Sequence, residues 1–463
     1  MDIIFFQINN TNFLFNVIPF INLTIMPLFI ISLGIIFLFI LIIFFRLNAF
    51  IAFIIISLSV GIAQGMNLVD VIESIEKGIG NTLGFLVMIL GLGAMLGKIV
   101  ADSGAAQQIT NGLIRLFGVR NTKWAVMLTG FIVGITMFYS VGFVILVPLV
   151  FTVASSTGIP LISIALPMLA SLSVTHGFLP PHPAPSALTI MFEADIGKTL
   201  IYGIIVSIPT IIISGPILTN FLSKVNAKPL KEFMAKKVFS EDELPGLKIS
   251  LFTALLPVIL IGISTIILEF ISEESLIYSI IKFIGNPVIA LLLSVLLSIY
   301  TLGLSRGIKM DKIMKIFTKS ISGITMVLLI IAGAGALKQI LVDSGVSDYI
   351  GKLLEMTDFS PLILGWLTAT LIRFSVGSAT VAGLTTAAIV LPLVQSNAVN
   401  PELMVLAIGS GSLMLSHVND SGFWLFKEYF NLTVKETLLT WTIMETSIGI
   451  TGLIGVLILN NLI

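Results

Sequence analysis

Cysteine is absent from the 463-residue chain, and histidine occurs only three times. The first absence removes disulfides, thiolate metal sites and thiol nucleophiles. The scarcity of histidine, with no HExxH pattern, leaves little for a metal centre. Charge is scarce too: Asp, Glu, Lys and Arg make up 10% of the residues and the formal net charge is zero, which argues against a nucleic-acid partner. Strands of alternating polarity are missing, which argues against a barrel. The opening MDIIFFQINN lacks the basic region and small-residue cleavage site of a secretory signal, so the first apolar span is counted as part of the mature chain.

What fills the chain is apolar. Hydrophobic residues make up 57% of it and the mean hydropathy is +1.12, far beyond the needs of one soluble core. Runs of about 20 apolar residues can each cross a hydrocarbon layer roughly 30 Å thick, and backbone in lipid must satisfy itself, which here means helices. The expected class is an all-α polytopic membrane protein.

Apolar windows between charged breaks give spans at 24–45, 48–66 and 82–100, a hairpin at 124–155 broken at Ser140-Val141-Gly142, a broken span at 160–193, and a span at 198–222. A polar linker, 223–248, follows. Further spans are expected at 249–271, 285–303 and 320–341, then a second hairpin at 361–394, a broken span at 401–430 and a last span at 437–460. If both hairpins are re-entrant, Arg46, Arg115, Arg120, Lys123, the linker lysines, the run from Arg306 to Lys319, and Lys427 share one face, which the positive-inside rule makes cytoplasmic. That gives about ten transmembrane helices plus two hairpins entering from opposite sides, with both termini outside. GIKMDKIMKIFTKS, residues 307–320, reads as a basic amphipathic helix on the cytoplasmic surface.

Two short matches recur at one common spacing: Asp102-Ser103-Gly104 with Asp343-Ser344-Gly345, and SLSVTH ending at His176 with SLMLSH ending at His417. With an odd number of spans per half, residues 1–222 and 249–463 form two inverted repeats, the arrangement of secondary transporters whose broken helices meet near the membrane midplane. Asp102 and Asp343 are expected to cap the helices that follow them. Gly91, Gly93, Gly97, Gly333 and Gly335 let helices pack closely.

The most polar interruptions carry the chemistry. In THGFLPPHPAP, residues 175–185, four prolines cannot continue a helix, so it must stop near Gly177. Irregular backbone at membrane depth is tolerated only when buried in protein or lining a wet cavity. His176 and His182 there are suited to carrying a proton. In the second half Ser416, His417, Asn419 and Asp420 cluster in the same way; Asp420 either shares the histidine's proton or caps the next helix, or does both. At the hairpin tips Ser140, Gly142, Ser375, Gly377, Ser378 and Thr380 offer hydroxyls and exposed backbone to a polyol or a cation. Arg373 lies inside the second hairpin; its planar fork suits a substrate carboxylate, unless it pairs with Asp102, Asp343 or Asp420 or snorkels to the interface.

THGFLPPHPAP and SHVNDSGFWLFKEYF (416–430), in matching positions of the two halves, resemble the signatures of the gluconate:proton symporter family. The resemblance runs from the third span to the last. It implies a multi-pass protein of the bacterial cytoplasmic (inner) membrane, importing gluconate or a related sugar acid with protons, dimeric, and built from scaffold and mobile transport domains. Carried over by motif, the site positions are His176, Pro181, His182, Ser416, His417, Asn419 and Asp420. Ala184 stands where the family often has Gly, which narrows the backbone choices at that turn.

The combined expectation is a carrier, not an enzyme, with no metal and no cofactor beyond a coupling proton. Arg373 and helix N-termini would face the carboxylate; Ser140, Gly142, Pro181, Ser375, Gly377, Ser378, Thr380 and Asn419 would surround the rest; and His176, His182, His417 and Asp420 would couple the proton. Lipid and a second copy of the chain complete the expected partners. Sodium suits the same hydroxyls and carbonyls, so a sodium-coupled carboxylate carrier is the nearest alternative. An intramembrane metallohydrolase on the histidines and Asp420 leaves the two-fold repeat unexplained, and a channel would differ by conductance without saturation.

Overall fold

A computed structural model describes residues 29–38, 40–222, 225, 227, 239–268, 270–345, 360–396, 399–418 and 420–463. The expectations for residues 1–23, for Asn419 and for most of the 223–248 linker lie outside them. Every regular element among the described residues is a helix. After a helix at 29–38 come α1 (Ala49–Ala63), α2 (Leu68–Asp102), α3 (Ala105–Phe117), α4 (Thr122–Thr136), α5 (Tyr139–Thr157), α6 (Leu161–Phe178), α7 (Pro183–Met191) and α8 (Ile196–Ile212). The longer helices that follow are α9 (Leu247–Leu268), α10 (Leu276–Gly285), α11 (Pro287–Ser298), α12 (Met310–Asp343), α13 (Pro361–Val376), α14 (Ala379–Gln395), α15 (Pro401–Gly411), α16 (Ser421–Tyr429) and α17 (Ile443–Asn460), with short helical segments such as Ile213–Ile217 and Leu438–Thr442 between helices. Among the described residues seven helices are long and apolar enough to cross a membrane, and shorter apolar helices accompany them.

Burial sorts these helices. The most apolar window of Leu161–Met191 is 89% buried, so its uniform apolarity reflects protein on every side; that of α9 is only 28% buried, which leaves it a lipid-facing surface. The two longest helices, α2 and α12, run antiparallel. Ser74 donates to Asp343 at one end, Gly78 abuts Gly335 further along, and Gly91 meets Ile321 beyond that.

Several expectations change in detail. Residues 82–100 are the apolar part of a 35-residue helix, because VIESIEKG ahead of them holds good helix formers and packs on the end of α12. The basic run 307–320 is not a separate surface helix. From Met310 it forms the first turns of the 34-residue α12, whose length of about 50 Å exceeds the hydrocarbon and carries its lysines to the interface. Asp102 does not cap the helix after it, and the residues that Asp343 was expected to cap lie outside the described ones. Each ends its own helix, Asp102 taking Lys98 at 2.8 Å and Asp343 taking Ser74 at 2.7 Å and Gln339 at 2.8 Å, while left-handed Gly104 starts α3.

The first hairpin breaks at Met137–Phe138, ahead of the expected Ser140-Val141-Gly142. Phe138 is the N-cap of α5 and its carbonyl accepts from Gly142 N at 2.9 Å, so residues 140–142 form the first helical turn. Gly142 there serves close packing, against Leu172. The second hairpin breaks where expected, at Gly377, which takes the left-handed φ of 77° that favours glycine, followed by the N-cap Ser378. The 160–193 span stops at Phe178 and restarts at Pro183, where proline fits the first helical turn. Its counterpart stops at Gly411 and restarts at Ser421.

Candidate functional site

The two broken helices cross at their ends. A side chain at Gly409 would collide with the Gly177 carbonyl, so bare backbone at both positions is what brings the SLSVTH and SLMLSH segments together. Beside this crossing lies a cavity of about 490 Å³, within the range of small-molecule sites.

Four helices present their first turns to it. Tyr139 and Val141 come from α5, Pro183 from α7, Ser378, Ala379 and Thr380 from α14, and Ser421 and Gly422 from α16. A helix N-terminus carries about half a positive charge; Asp420 offsets that of α16, and Pro183 and Pro185 leave α7 few amides, so α5 and α14 supply most of the N–H groups that make the cavity receptive to an anion.

Arg373 sits in the last turn of α13 and is 4% exposed, so its charge has little water to lean on. One Nη donates to the Gly377 carbonyl and the other to Asp420 Oδ2, while Nε has no hydrogen-bond partner. Asp420 is the N-cap of α16, accepting from Gly422 N at 2.9 Å, and also accepts from Ser416 Oγ. Trp441 Nε1 donates to that same Ser416 Oγ at 2.8 Å. Asp420 therefore both caps a helix and pairs with the arginine, which fixes the turn against the tip of the second hairpin.

The other expected residues are distributed around this pair. His176 lines the cavity; its ring lies 5.4 Å from that of His182 and 6.2 Å from Tyr139, between centroids. His182 is buried behind it, its Nε2 donating to the Gly134 carbonyl at 2.7 Å, which ties the first broken helix to the end of α4. Pro181, in a cis peptide with Pro180, packs near Gly93 of α2. Gly377, Ser378 and Thr380 line the cavity, whereas Gly142 lies against Leu172 and the Ser375 hydroxyl turns back to the Leu371 carbonyl. His417 stacks edge-on to Phe374, 4.7 Å between centroids, in the turn that leads to Asp420. Ser140 begins α5.

Sequence reasoning passed over Lys98, Tyr139, Ser173, Lys319, Trp441 and Glu445, all of which line the cavity. Glu445 is 1% exposed and accepts from Ser173 Oγ. A lone acid inside the apolar run TIMETSIG was a readable signal, since ionisable groups at membrane depth are costly. Ser173 and Tyr139 gave no such signal. Tyr139 Oη, His176 Nδ1, Arg373 Nε and Glu445 Oε2 are all buried without a hydrogen-bond partner, so four polar groups around one cavity are unsatisfied. Buried polar groups are ordinarily bonded, and a polar solute with several hydroxyls and a carboxylate would satisfy them. No group of three or more metal-ligating side chains occurs among the described residues.

Among solved structures the fold is similar to that of the YdaH transporter of Alcanivorax borkumensis, with a TM-score of 0.63, 16% identity and coverage of 89% of this chain and 97% of that one. It is also similar to MtrF of Neisseria gonorrhoeae, with a TM-score of 0.60 over 88% and 94% of the two chains. Curated relatives are much nearer in sequence. A high-affinity gluconate transporter of Escherichia coli is 50% identical over 95% of this chain and 100% of its own length. The Gnt-II system L-idonate transporter of the same organism is 50% identical over 94% and 99%. A gluconate permease of Bacillus subtilis is 46% identical over 94% and 99%. With the family model for GntP family permeases matching residues 26–463, the chain belongs to that family of multi-pass inner-membrane transporters.

Proposed function

We propose that the protein imports gluconate or a closely related sugar acid together with protons, by alternating access around the cavity beside the Gly177–Gly409 crossing. The observation that carries this reading is the convergence of four helix N-termini and the buried Arg373 on one cavity. Together they suit a single carboxylate, which the N-terminal amides and the unpartnered Arg373 Nε would hold. Ser378, Thr380, His176 and Tyr139 would meet the polyol. The 45–50% identical relatives named for gluconate and L-idonate support the substrate class.

Proton coupling follows from charge. Carrying an anion through a low-dielectric region is unfavourable, and a proton taken up with it removes the net charge. His176 and Asp420 at the cavity, with His182 and His417 next to it, are suited to the proton's path. The helix–break–helix pattern of residues 160–193 and 401–430, with the antiparallel pairing of α2 and α12, supports two inverted repeats that rock about the site. A homodimer fits the lipid-facing surface of α9 and the exposed α10, and cross-linking in native membranes would test it.

The deciding experiment is uptake into proteoliposomes with a competition panel of gluconate, L-idonate, other aldonates, glycerate, D-serine and dicarboxylates at two pH values. Gluconate uptake stimulated by an inward proton gradient in sodium-free buffer is the expected result. Uptake that needs sodium and ignores the proton gradient would replace the coupling ion.

A further inference from the structure

We propose that Glu445 is the group whose protonation couples sugar-acid binding to proton entry, one proton per monocarboxylate; this deepens the transport reading above and rests on it. Glu445 sits on α17 with its carboxyl buried at the cavity. Ser173 Oγ donates to Oε1, and Oε2 is buried with no partner. The oxygen that accepts is thus engaged, and the other is the one placed to carry a proton.

The surrounding charges make that proton necessary. Arg373 is matched by Asp420, which leaves the cavity's buried pair neutral. Glu445 makes no ion pair of its own, and an uncompensated carboxylate at this depth is strongly disfavoured. A sugar-acid carboxylate entering the same cavity would add a second negative charge at close range. Protonated Glu445 accepts that neighbour, and its Oε2–H gains an acceptor in it; ionised Glu445 repels it. Substrate therefore binds the protonated form, and opening to a more alkaline interior releases the proton and the substrate together.

The other titratable groups facing Glu445 do not take over this duty. Tyr139 of α5, His176 of α6, Arg373 of α13 and Asp420 of α16 stand around the cavity, and Lys98 of α2 and Lys319 of α12 bring positive charge to it. Lys98 pairs with Asp102. The segments Ile213–Ile217 and Leu438–Thr442 that also touch α17 hold no titratable residue. On α8, Lys198 and Tyr202 are at the far end, because Ser214 is the residue that meets Ser447 and Val206 the one beside Gly455. On α15, Glu402 is likewise remote, bonded to Asp195 N. His176 would add positive charge next to Arg373 and His182, whereas Glu445 removes a negative charge where the anion arrives.

The test uses the purified full-length protein and gluconate. In weakly buffered solution alkaline enough to ionise Glu445 in the unliganded protein, gluconate binding to the wild type should take up about one proton, and over that range apparent affinity should fall about tenfold per pH unit. Glu445→Gln, which resembles the neutral acid, should keep gluconate exchange in proteoliposomes at equal pH, bind independently of pH and lose gradient-driven accumulation. Glu445→Asp should retain accumulation with a displaced pH profile. His176→Gln should keep the pH slope. The proposal is overturned if Glu445→Gln accumulates gluconate as the wild type does, if wild-type binding takes up no proton at any pH, or if the slope vanishes in His176→Gln and survives in Glu445→Gln. Wild-type uptake indifferent to the proton gradient would instead overturn the transport reading beneath it.

Discussion

Arg373 and Asp420 set the stability of the site as well as its charge. Removing one member of a buried pair leaves the other uncompensated, at about 3–5 kcal/mol, whereas replacing both with neutral groups is far less damaging. Arg373→Gln and Asp420→Asn should each lower the unfolding temperature of the detergent-purified protein. The double variant should recover most of that loss, yet bind gluconate much more weakly than the wild type in equilibrium titration. Arg373→Lys should not restore affinity, because a point charge cannot reach Gly377, Asp420 and a carboxylate together as the guanidinium fork does. At this scale the sequence was legible wherever polarity interrupted an apolar run, as at Arg373, Asp420 and His176. Glu445 carried the same signal in weaker form, a single acid without a helix break. Tyr139, Ser173 and Trp441 were not legible, since their role depends on neighbours distant in sequence.

The helix crossings are held by missing side chains. A methyl group at Gly409 would meet the Gly177 carbonyl, and one at Gly97 would meet the Thr136 carbonyl just before the first hairpin breaks. Neither neighbour is a flexible side-chain end that can swing aside. Gly409→Ala and Gly97→Ala should each lose about 1–3 kcal/mol or more and reduce uptake, with thermal unfolding and proteoliposome transport as the readouts. Gly80→Ala, exposed on α2 with open space around it, is the control and should be neutral or slightly stabilising. These crossings explain which breaks could be read beforehand. Prolines 180, 181, 183 and 185 forced one break from local chemistry alone, and glycine with serine marked Gly377 correctly. At 140–142 the same residue types misled, because Gly142 serves packing against Leu172 and the chain turns at Met137 instead.

For the whole molecule, the proposed ratio of one proton per monocarboxylate decides which force would drive it. A monocarboxylate accompanied by one proton is neutral, so the loaded carrier moves no net charge. Proteoliposomes with a one-unit inward pH gradient should then accumulate gluconate about tenfold, the concentration ratio equivalent to that gradient's roughly 1.4 kcal/mol. A potassium diffusion potential, negative inside and without a pH difference, should drive none, although 100 mV is worth about 2.3 kcal/mol to any elementary charge that crosses. Accumulation under potential alone would require a second proton per turnover, and His176, with its unpartnered Nδ1 on the same cavity, is the group positioned to carry it. The matched segments of the two halves led to the expectation of one site between them, and the structure brings Gly177 and Gly409 of those segments together. They did not reveal the proposed charge balance, which rests on Glu445 of the last helix facing Ser173 of the first broken one, two residues that only folding brings together.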